Sequence, residues 1–326
     1  MAAMLVKYMT PKRKLPIVIT VPVLLALAAV WTGCSPRKLM TRQFVQMVES
    51  GMPAIEQERD LQLLAQSMPA HIKLLETLLA NDPENIDLML LLSRLYGAYA
   101  FAILETEWEA LRFGLPSVLA LTIAPSQLEA AVVRNYRRGA AYALRALEAR
   151  HSKAAERLSR LKSSEAFIDA LRRADVPALF WYGFNLGGYI QHRLDSVEAV
   201  AKTHLVEKTM RRVVALDEAY YHGSAHLVLM AYYASRPATF GGNPEQARIH
   251  MEKHFIVAPE SMMMRSLYWA RYALVQQQDR SEFIRRLSQV TDKAKAKADQ
   301  ELDMLGSVAA IRAGIYLKAQ DNFFED

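Results

Sequence analysis

The sequence predicts an all-α protein whose helices stack in pairs, and three observations lead to this prediction. Alanine, leucine, arginine and glutamate are abundant, whereas glycine and proline number only 13 each among 326 residues. That composition favours helices over sheets. No segment alternates apolar and polar residues over the length of a strand. Helix-start signals recur instead, at Ser126-Gln127-Leu128-Glu129, Asp175-Val176-Pro177, Asn243-Pro244 and Asp279-Arg280-Ser281-Glu282.

The first 33 residues have the layout of a secretory signal peptide. A cationic cluster ends at Lys14, an apolar run extends from Leu15 to about Trp31, and small residues then precede Cys34. Val30-Trp31-Thr32-Gly33-Cys34 resembles a lipobox, although Trp31 stands where an aliphatic residue is usual. The alternative is an uncleaved anchor helix, which the shortness of the run and its two prolines disfavour. We therefore predict that residues 1–33 are a lipoprotein signal peptide.

Cys34 is the single cysteine of the chain, so it cannot form an internal disulfide, and we predict that it carries a lipid. The mature protein would then lie on the periplasmic face of a bacterial membrane. Ser35 follows the cysteine where an aspartate would favour the inner membrane, so the outer membrane is favoured. Of the 40 basic residues, four precede Cys34, which leaves 36 against 34 acidic ones. This balance argues against nucleic-acid binding.

The mature chain is expected to contain a tether and lead-in helix over residues 34–66 and a helical repeat domain over residues 67–326. We predict breaks at Asn81-Asp82-Pro83, Gly114–Pro125, Ser163-Ser164, Arg236–Asn243 and Ala258-Pro259. Asp82-Pro83-Glu84-Asn85 is typical of a junction between tetratricopeptide-like units. Several other junctions agree in register, so we predict tetratricopeptide-like helix pairs stacked as a solenoid, or superhelix. An irregular helical bundle is the alternative.

Two pairs of histidines have the spacing that places both rings on one face of a helix, His222/His226 and His250/His254. Either pair could contribute to a metal site, but neither forms the zinc motif HExxH. We therefore expect ordinary structural histidines and predict no metal or other cofactor. G-x-S-x-G, Walker and G-x-G-x-x-G motifs are absent from the sequence. The protein is therefore expected to bind rather than to catalyse.

Aromatic segments mark the surface that the first helices of successive units would present to the inside of the stack. Gly183 and Gly187 in one such segment indicate close helix contacts, because glycine within a helix costs about 1 kcal/mol. These segments carry few charges, which suits an apolar or amphipathic ligand. The residues that we predict to line a ligand site are Tyr96, Tyr99, Trp181, Tyr182, Asn185, Tyr189, His226 and Tyr233.

From about Leu74 onward, the chain resembles the T-component family of tripartite ATP-independent periplasmic (TRAP) transporters. The most specific stretches are Leu95–Phe101, Phe180–Ile190 and Tyr232–Pro237, followed by Gly241–Glu245. The resemblance implies a periplasmic lipoprotein of cryptic tetratricopeptide-like repeats that forms homo-oligomers. It also implies cooperation with the periplasmic substrate-binding subunit of such a transporter. The alternative function is a generic scaffold lipoprotein for envelope assembly.

Overall fold

The computed structural model describes residues 36–259, 262–296 and 303–324, and every regular element within these ranges is a helix. The prediction of an all-α protein is thereby confirmed. The predicted signal peptide and the lipidation site Cys34 lie outside the described residues. The boundary that we placed between residues 66 and 67 falls inside the second helix, which begins at Leu61.

The helices follow one another along the whole described chain, most of them separated by short turns. They are α1 (Pro36–Glu56), α2 (Leu61–Asn81), α3 (Ile86–Arg112), α4 (Pro125–Arg150), α5 (Ala154–Leu158), α6 (Leu161–Ala170), α7 (Val176–Gln191), α8 (Val197–Ala201), α9 (Thr203–Leu216), α10 (Tyr220–Ala234), α11 (Pro244–Val257), α12 (Met262–Tyr268, continued by the π-helical turn Trp269–Leu274), α13 (Arg280–Ala296) and α14 (Met304–Lys318).

Most of the predicted helix starts and breaks are where the sequence signals placed them. Helix α11 begins at Pro244, and the Asn243 side chain accepts a hydrogen bond of 3.0 Å from the Gln246 amide. Helix α7 has Pro177 in its first turn, where the missing N–H leaves no bond unmade. The side chain of Asp279 likewise accepts from the Glu282 amide at the start of α13.

Two of the local predictions were wrong. The capping box predicted at Ser126 does not form, because α4 begins one residue earlier at Pro125 and its N-cap, Ala124, makes no side-chain bond. Ser163-Ser164 is not a break but lies inside α6. Both hydroxyls donate to backbone carbonyls near the start of that helix, and the Ser164 bond to the Leu161 oxygen is 2.7 Å long. Serine can bond the backbone of a first helical turn as readily as that of a loop.

Long helices that are consecutive in the chain pack as neighbours, and the two ends of the chain also meet. Helix α3 packs on α2 and α4, α4 on α7, α7 on α9, and α10 on both α9 and α11. The C-terminal helix α14 then packs back against α3, while α12 packs against α10. The early and late parts of the chain thus enclose a common interior.

Helix α3 is the core helix of this arrangement. Its 27 residues are long and apolar enough to cross a bilayer, but 67% of its most apolar window is buried inside the protein. Leu88, Leu92, Ile103 and Leu104 are fully enclosed. Their burial against neighbouring helices accounts for the apolar composition of α3, since a helix that is hydrophobic all round belongs in a protein core or a membrane.

Candidate functional site

A central cavity lies where six helices converge. It has a water-accessible volume of about 110 Å³, and α3, α4, α7, α9, α10 and α12 contribute to its wall. Six of the residues that line it are aromatic, and the carboxylate of Glu105 is the acidic group in the lining. The aromatic residues of the lining are Phe101, Tyr136, Phe184, Tyr232, Tyr268 and Tyr272.

An inner cavity adjoins the central one on the side of α14. Its water-accessible volume is about 40 Å³, and its lining is almost wholly apolar. Trp181, Tyr221, Leu227 and Met304 contribute to it. Four further side chains line both cavities and so form the partition between them, namely Phe101, Phe184, Val228 and Tyr268.

A wide mouth opens from the other side of the central cavity. It has a water-accessible volume of about 570 Å³ and shares seven lining residues with the central cavity. Leu194 and Phe240 stand at its edge, with 70% and 75% of their surfaces exposed. Large apolar side chains so exposed in one place are typical of a binding surface. The three spaces therefore form a series that narrows inward, and the innermost one is the most apolar.

Two arginines give the mouth a positive character. The Arg236 guanidinium lies 3.9 Å from the ring centre of Tyr232, and that of Arg271 lies 5.0 Å from the ring centre of Phe323. In the described part of the chain, no carboxylate oxygen lies within 4.0 Å, the limiting distance of an ion pair, of either guanidinium. Burial lowers the pKa of Arg236, although its charge is retained at any physiological pH.

A π-helical turn in α3 shapes the wall of the central cavity. Over Tyr99–Leu104 the backbone widens, so the Glu105 amide bonds the carbonyl of Ala100 instead of that of Phe101. The freed Phe101 carbonyl points toward α14, where it accepts a hydrogen bond from Arg312. Single π-helical turns are frequent at functional sites. The second such turn, Trp269–Leu274, contains Arg271 and Tyr272, which line the mouth.

Arg312 joins the two ends of the chain through buried charges. Its guanidinium lies 3.5 Å from a carboxylate oxygen of Glu105 and 3.5 Å from one of Glu109, and it donates to the Thr106 hydroxyl over 3.0 Å. Tyr316 donates to Glu109 over 2.7 Å. All of these groups are buried. An ion network of this kind fixes the position of α14 against α3.

The two carboxylates of this network respond differently to their surroundings. Burial would raise the pKa of Glu105, but Arg312 and His192 outweigh it and lower that pKa to about 2. Burial and the neighbouring charge of Glu105 raise the pKa of Glu109. Glu105 is therefore the permanent anion of the cavity wall, and Glu109 is the carboxyl that protonates first on acidification.

The predicted ligand-lining residues are dispersed over the fold. Trp181 lines the inner cavity, with its ring centre 4.9 Å from that of Tyr221. Tyr96 bonds Glu76 and stacks on Tyr142 at 5.8 Å, on the side of α3 that faces α2 and α4. The other predicted residues line none of the three cavities just described. They are Tyr99, Tyr182, Asn185, Tyr189, His226 and Tyr233.

The side chain of Asn185 is buried where α7 packs against α3 and α4. Its amide nitrogen donates to the Trp181 carbonyl over 2.7 Å and to the Ser93 carbonyl over 3.2 Å. A side chain at Gly97 or Gly139 would meet the Asn185 oxygen at 2.7 Å or 2.3 Å. Glycine at both positions therefore lets α3 and α4 close around the amide of α7.

Histidines of the two predicted pairs lie close together in the structure. The Nδ1 atoms of His226 and His250 are 2.8 Å apart, and Nε2 of His226 lies 3.1 Å from Glu218. His254 lies beside Arg265 at 3.3 Å, where a cation would be repelled. Throughout the described ranges, no group of three or more histidine, cysteine or acidic residues is arranged to hold a metal.

Several cavity residues that the sequence analysis did not predict lie on α7 beside Trp181, which it did predict. On α7, Trp181, Phe184, Gly188 and Gln191 line the cavities at helical spacing, whereas Asn185 bonds Ser93 of α3, and Tyr182 and Tyr189 line none of the three cavities. The i, i+3, i+7 spacing of Trp181, Phe184 and Gly188 indicates one face of a helix, so the sequence could have predicted that these residues lie together. Arg236 and Arg271 carried no such signal, because each is an isolated arginine in its own segment.

Two glycines of α7 differ in what a side chain would meet, and this difference gives a test of the close helix packing. A Cβ at Gly183 would lie 2.4 Å from the Thr209 hydroxyl, whereas one at Gly187 would lie 3.5 Å from Val206. We expect Gly183→Ala to lower the free energy of unfolding by about 1–3 kcal/mol through overpacking. Gly187→Ala should be neutral or stabilising by up to about 1 kcal/mol, because alanine favours the helix. Urea unfolding of both variants checks this, and equal effects would contradict it.

Comparison with known proteins gives two findings. Residues 57–324 match the family described as TRAP transporter T-component. An uncharacterized protein of Treponema pallidum (strain Nichols) is 30% identical over 206 residues. That alignment covers 60% of this chain and 59% of the relative, so the match spans about three fifths of the relative's length.

Proposed function

The chain belongs to the TRAP transporter T-component family, and we propose that it assists such a transporter by binding the transporter's substrate-binding subunit together with a small ligand. The observation that carries the proposal is the series of cavities that leads from an exposed apolar rim to a smaller apolar inner cavity. A protein that receives a ligand from a partner needs both a docking surface and a space continuous with it. The mouth combines these two features.

An amphipathic ligand fits this space better than a wholly polar one. The inner cavity is narrow and apolar, so it suits an alkyl or similarly slender group. The mouth is wide and contains the two arginines Arg236 and Arg271, together with the neutral polar side chains of Gln191 and Thr203. The polar end of the ligand would then remain in the mouth while its apolar part extends inward.

The proposal includes a tetratricopeptide-like arrangement of the helices. Packing between successive helices along the chain supports it, as does the junction at Asp82, where α2 ends and a short turn leads to α3. The contact of α14 with α3 would turn such a stack back on itself. Closure of this kind leaves an interior space accessible from one side.

We further propose that the protein is tethered by a lipid on Cys34 to the periplasmic face of a membrane, with the outer membrane favoured, and that it forms homo-oligomers. The layout of residues 1–33 supports the tether. A tethered oligomer would present several mouths to substrate-binding subunits that diffuse in the periplasm. Native mass spectrometry of the solubilised lipoprotein measures the number of subunits.

Partner capture from solubilised native membranes tests the docking surface. The full-length protein should retain the TRAP substrate-binding subunit, identified by mass spectrometry, and Phe240→Asp should lower the recovery about ten-fold, equivalent to roughly 1.4 kcal/mol of binding. The reason is that a charge would replace the most exposed aromatic side chain at the mouth. Ile256→Asp is the matched control, because Ile256 is 76% exposed but lines none of the three cavities.

Two other results would contradict the proposal. If the wild type and Phe240→Asp recover equal amounts of the substrate-binding subunit, the mouth is not the docking surface. Recovery of envelope-assembly proteins without any transporter subunit would favour the scaffold function instead.

A further inference from the structure

Helix α1 has an outward face that the rest of the protein does not cover. Its inward side chains, Thr41, Val45 and Met52, are buried against the body. On the opposite side, Leu39, Met40 and Met47 expose 52%, 70% and 62% of their surfaces. Large apolar side chains so exposed along one helix require an explanation, because water solvates them poorly.

This outward face is also uncharged. The exposed residues at its helical positions are Leu39, Met40, Gln43, Gln46, Met47 and Ser50, none of them acidic or basic. Arg42 and Glu49 are exposed beyond one edge of the face, whereas Lys38 is half-buried and lies 3.8 Å from the buried carboxylate of Asp82. A helix with an uncharged apolar face bordered by charged residues is typical of segments that lie in the surface of a bilayer.

The position of α1 in the chain indicates what covers this face. Only Ser35 separates Cys34 from Pro36, where α1 begins. A fully extended chain covers at most about 3.6 Å per residue, so Cys34 lies within roughly 7 Å of the first turn. Met40 and Met47 follow about 6 and 16 Å along the helix axis. A lipid on Cys34 would therefore hold both methionines close to the bilayer.

We propose that α1 lies in the head-group layer of the membrane that holds the Cys34 lipid, with Leu39, Met40 and Met47 directed into the lipid. The inference rests on the lipid tether of the proposed function. One covalent lipid combined with an interfacial helix gives two attachment points, which bind more firmly than one. They also hold the body in a single orientation, so that the mouth keeps a constant direction relative to the membrane.

The experiment uses the full-length, lipidated protein in vesicles of phosphatidylethanolamine and phosphatidylglycerol. Lipidation occupies the single cysteine, so Met40→Cys or Met47→Cys introduces the only reactive thiol for a nitrobenzoxadiazole (NBD) probe. Probes at both positions should emit at shorter wavelength and be quenched by lipids that carry a nitroxide near the head group. Ile256→Cys on α11 is the control and should show neither effect.

Each other outcome has a distinct meaning. Flotation of the vesicles in a density gradient measures whether the protein is bound to them. If the protein floats with the vesicles but the three probes behave alike, α1 does not lie in the membrane. This inference is then overturned, while the proposed lipid tether is retained. If wild type and a Cys34→Ala variant both fail to float, the tether of the proposed function fails, and this inference fails with it. A shorter emission wavelength without quenching by the lipid nitroxide would show that a second copy covers the face, which also overturns the inference.

Labelled Arg42→Cys gives a second measurement that does not depend on the two methionines. Arg42 is exposed on the flank of α1, about a third of a turn from the centre of the outward face. Its probe should be quenched less than those at positions 40 and 47, and equal quenching would contradict the proposed orientation. Melting temperatures equal to that of the wild type would show that the labelled variants remain folded.

Discussion

Replacing Arg312 by methionine should lower the free energy of unfolding by about 3–5 kcal/mol, because it leaves buried carboxylates without their cation. Glu105 and Glu109 both lie 3.5 Å from this guanidinium, and Arg312 is only 4% exposed. The substitution also removes the donors to the Phe101 carbonyl and the Thr106 hydroxyl. The π-helical turn leaves the Phe101 carbonyl without its helical partner, and Arg312 supplies a donor in its place. Without Arg312, α14 would lose these polar contacts with α3.

Urea unfolding followed by circular dichroism measures this loss. Arg280→Met is the matched control, since Arg280 forms an exposed ion pair with Asp321, which is 79% exposed, and such pairs contribute at most about 1 kcal/mol. Adding Glu105→Gln and Glu109→Gln to Arg312→Met should restore part of the stability, because no buried charge then remains unpaired. An Arg312→Met variant as stable as Arg280→Met would contradict the role of this network.

Local sequence signals predicted the helices well where one residue decides the outcome. Asn243 with Pro244, Pro177 and Asp279 each mark a helix start by satisfying or removing a backbone N–H. Serine is less decisive, since its hydroxyl bonds the backbone of loops and of first helical turns alike. That ambiguity explains why the predicted break at Ser163-Ser164 lies inside a helix.

The cavity was harder to predict than the helices, for two physical reasons. One residue of error in register turns a helix by about 100°, so an aromatic run such as Trp181–Tyr189 shows that a helix is apolar without showing which side faces inward. The π-helical turns at Tyr99–Leu104 and Trp269–Leu274 shift that register again. The contact between Arg312 and Thr106, 206 residues apart, depends on tertiary packing that no local pattern carries.

Acidification should destabilise the protein in a pH range set by three buried histidines. Burial lowers the pKa of His250 and His254 to about 4, and it lowers the pKa of His226 as well. The unfolded chain binds protons on these rings below about pH 6.5, whereas in the folded protein His250 and His254 stay neutral until about pH 4, and the pKa of His226 is also lowered. The contribution of these neutral histidines to the free energy of unfolding is therefore fully present above pH 6.5. It is lost as the pH falls from 6.5 toward 4.

The neighbours of the cluster explain why these rings resist protonation. His250 faces Lys253, Arg211 and His226, so a second positive charge there would be repelled. His254 faces Arg265 together with His222 and His226. The bond between the Nδ1 atoms of His226 and His250 also needs one N–H and one bare nitrogen, which a pair of imidazolium rings cannot provide. Glu218 is the carboxylate that contacts the cluster, through Nε2 of His226.

A His250→Gln variant separates this effect from the ordinary titration of carboxylates. Between pH 6.5 and 5 the unfolded carboxylates are still ionised, and the buried carboxyl of Glu109 is present in wild type and variant alike, so the difference between their slopes of stability against pH reports on His250. Each buried histidine contributes up to about 1.4 kcal/mol per pH unit to that slope, and the variant should be shallower by up to this amount. His71→Gln, at an exposed position outside the cluster, should keep the wild-type slope. If urea unfolding across this range gives one slope for all three proteins, the histidine cluster does not limit acid stability.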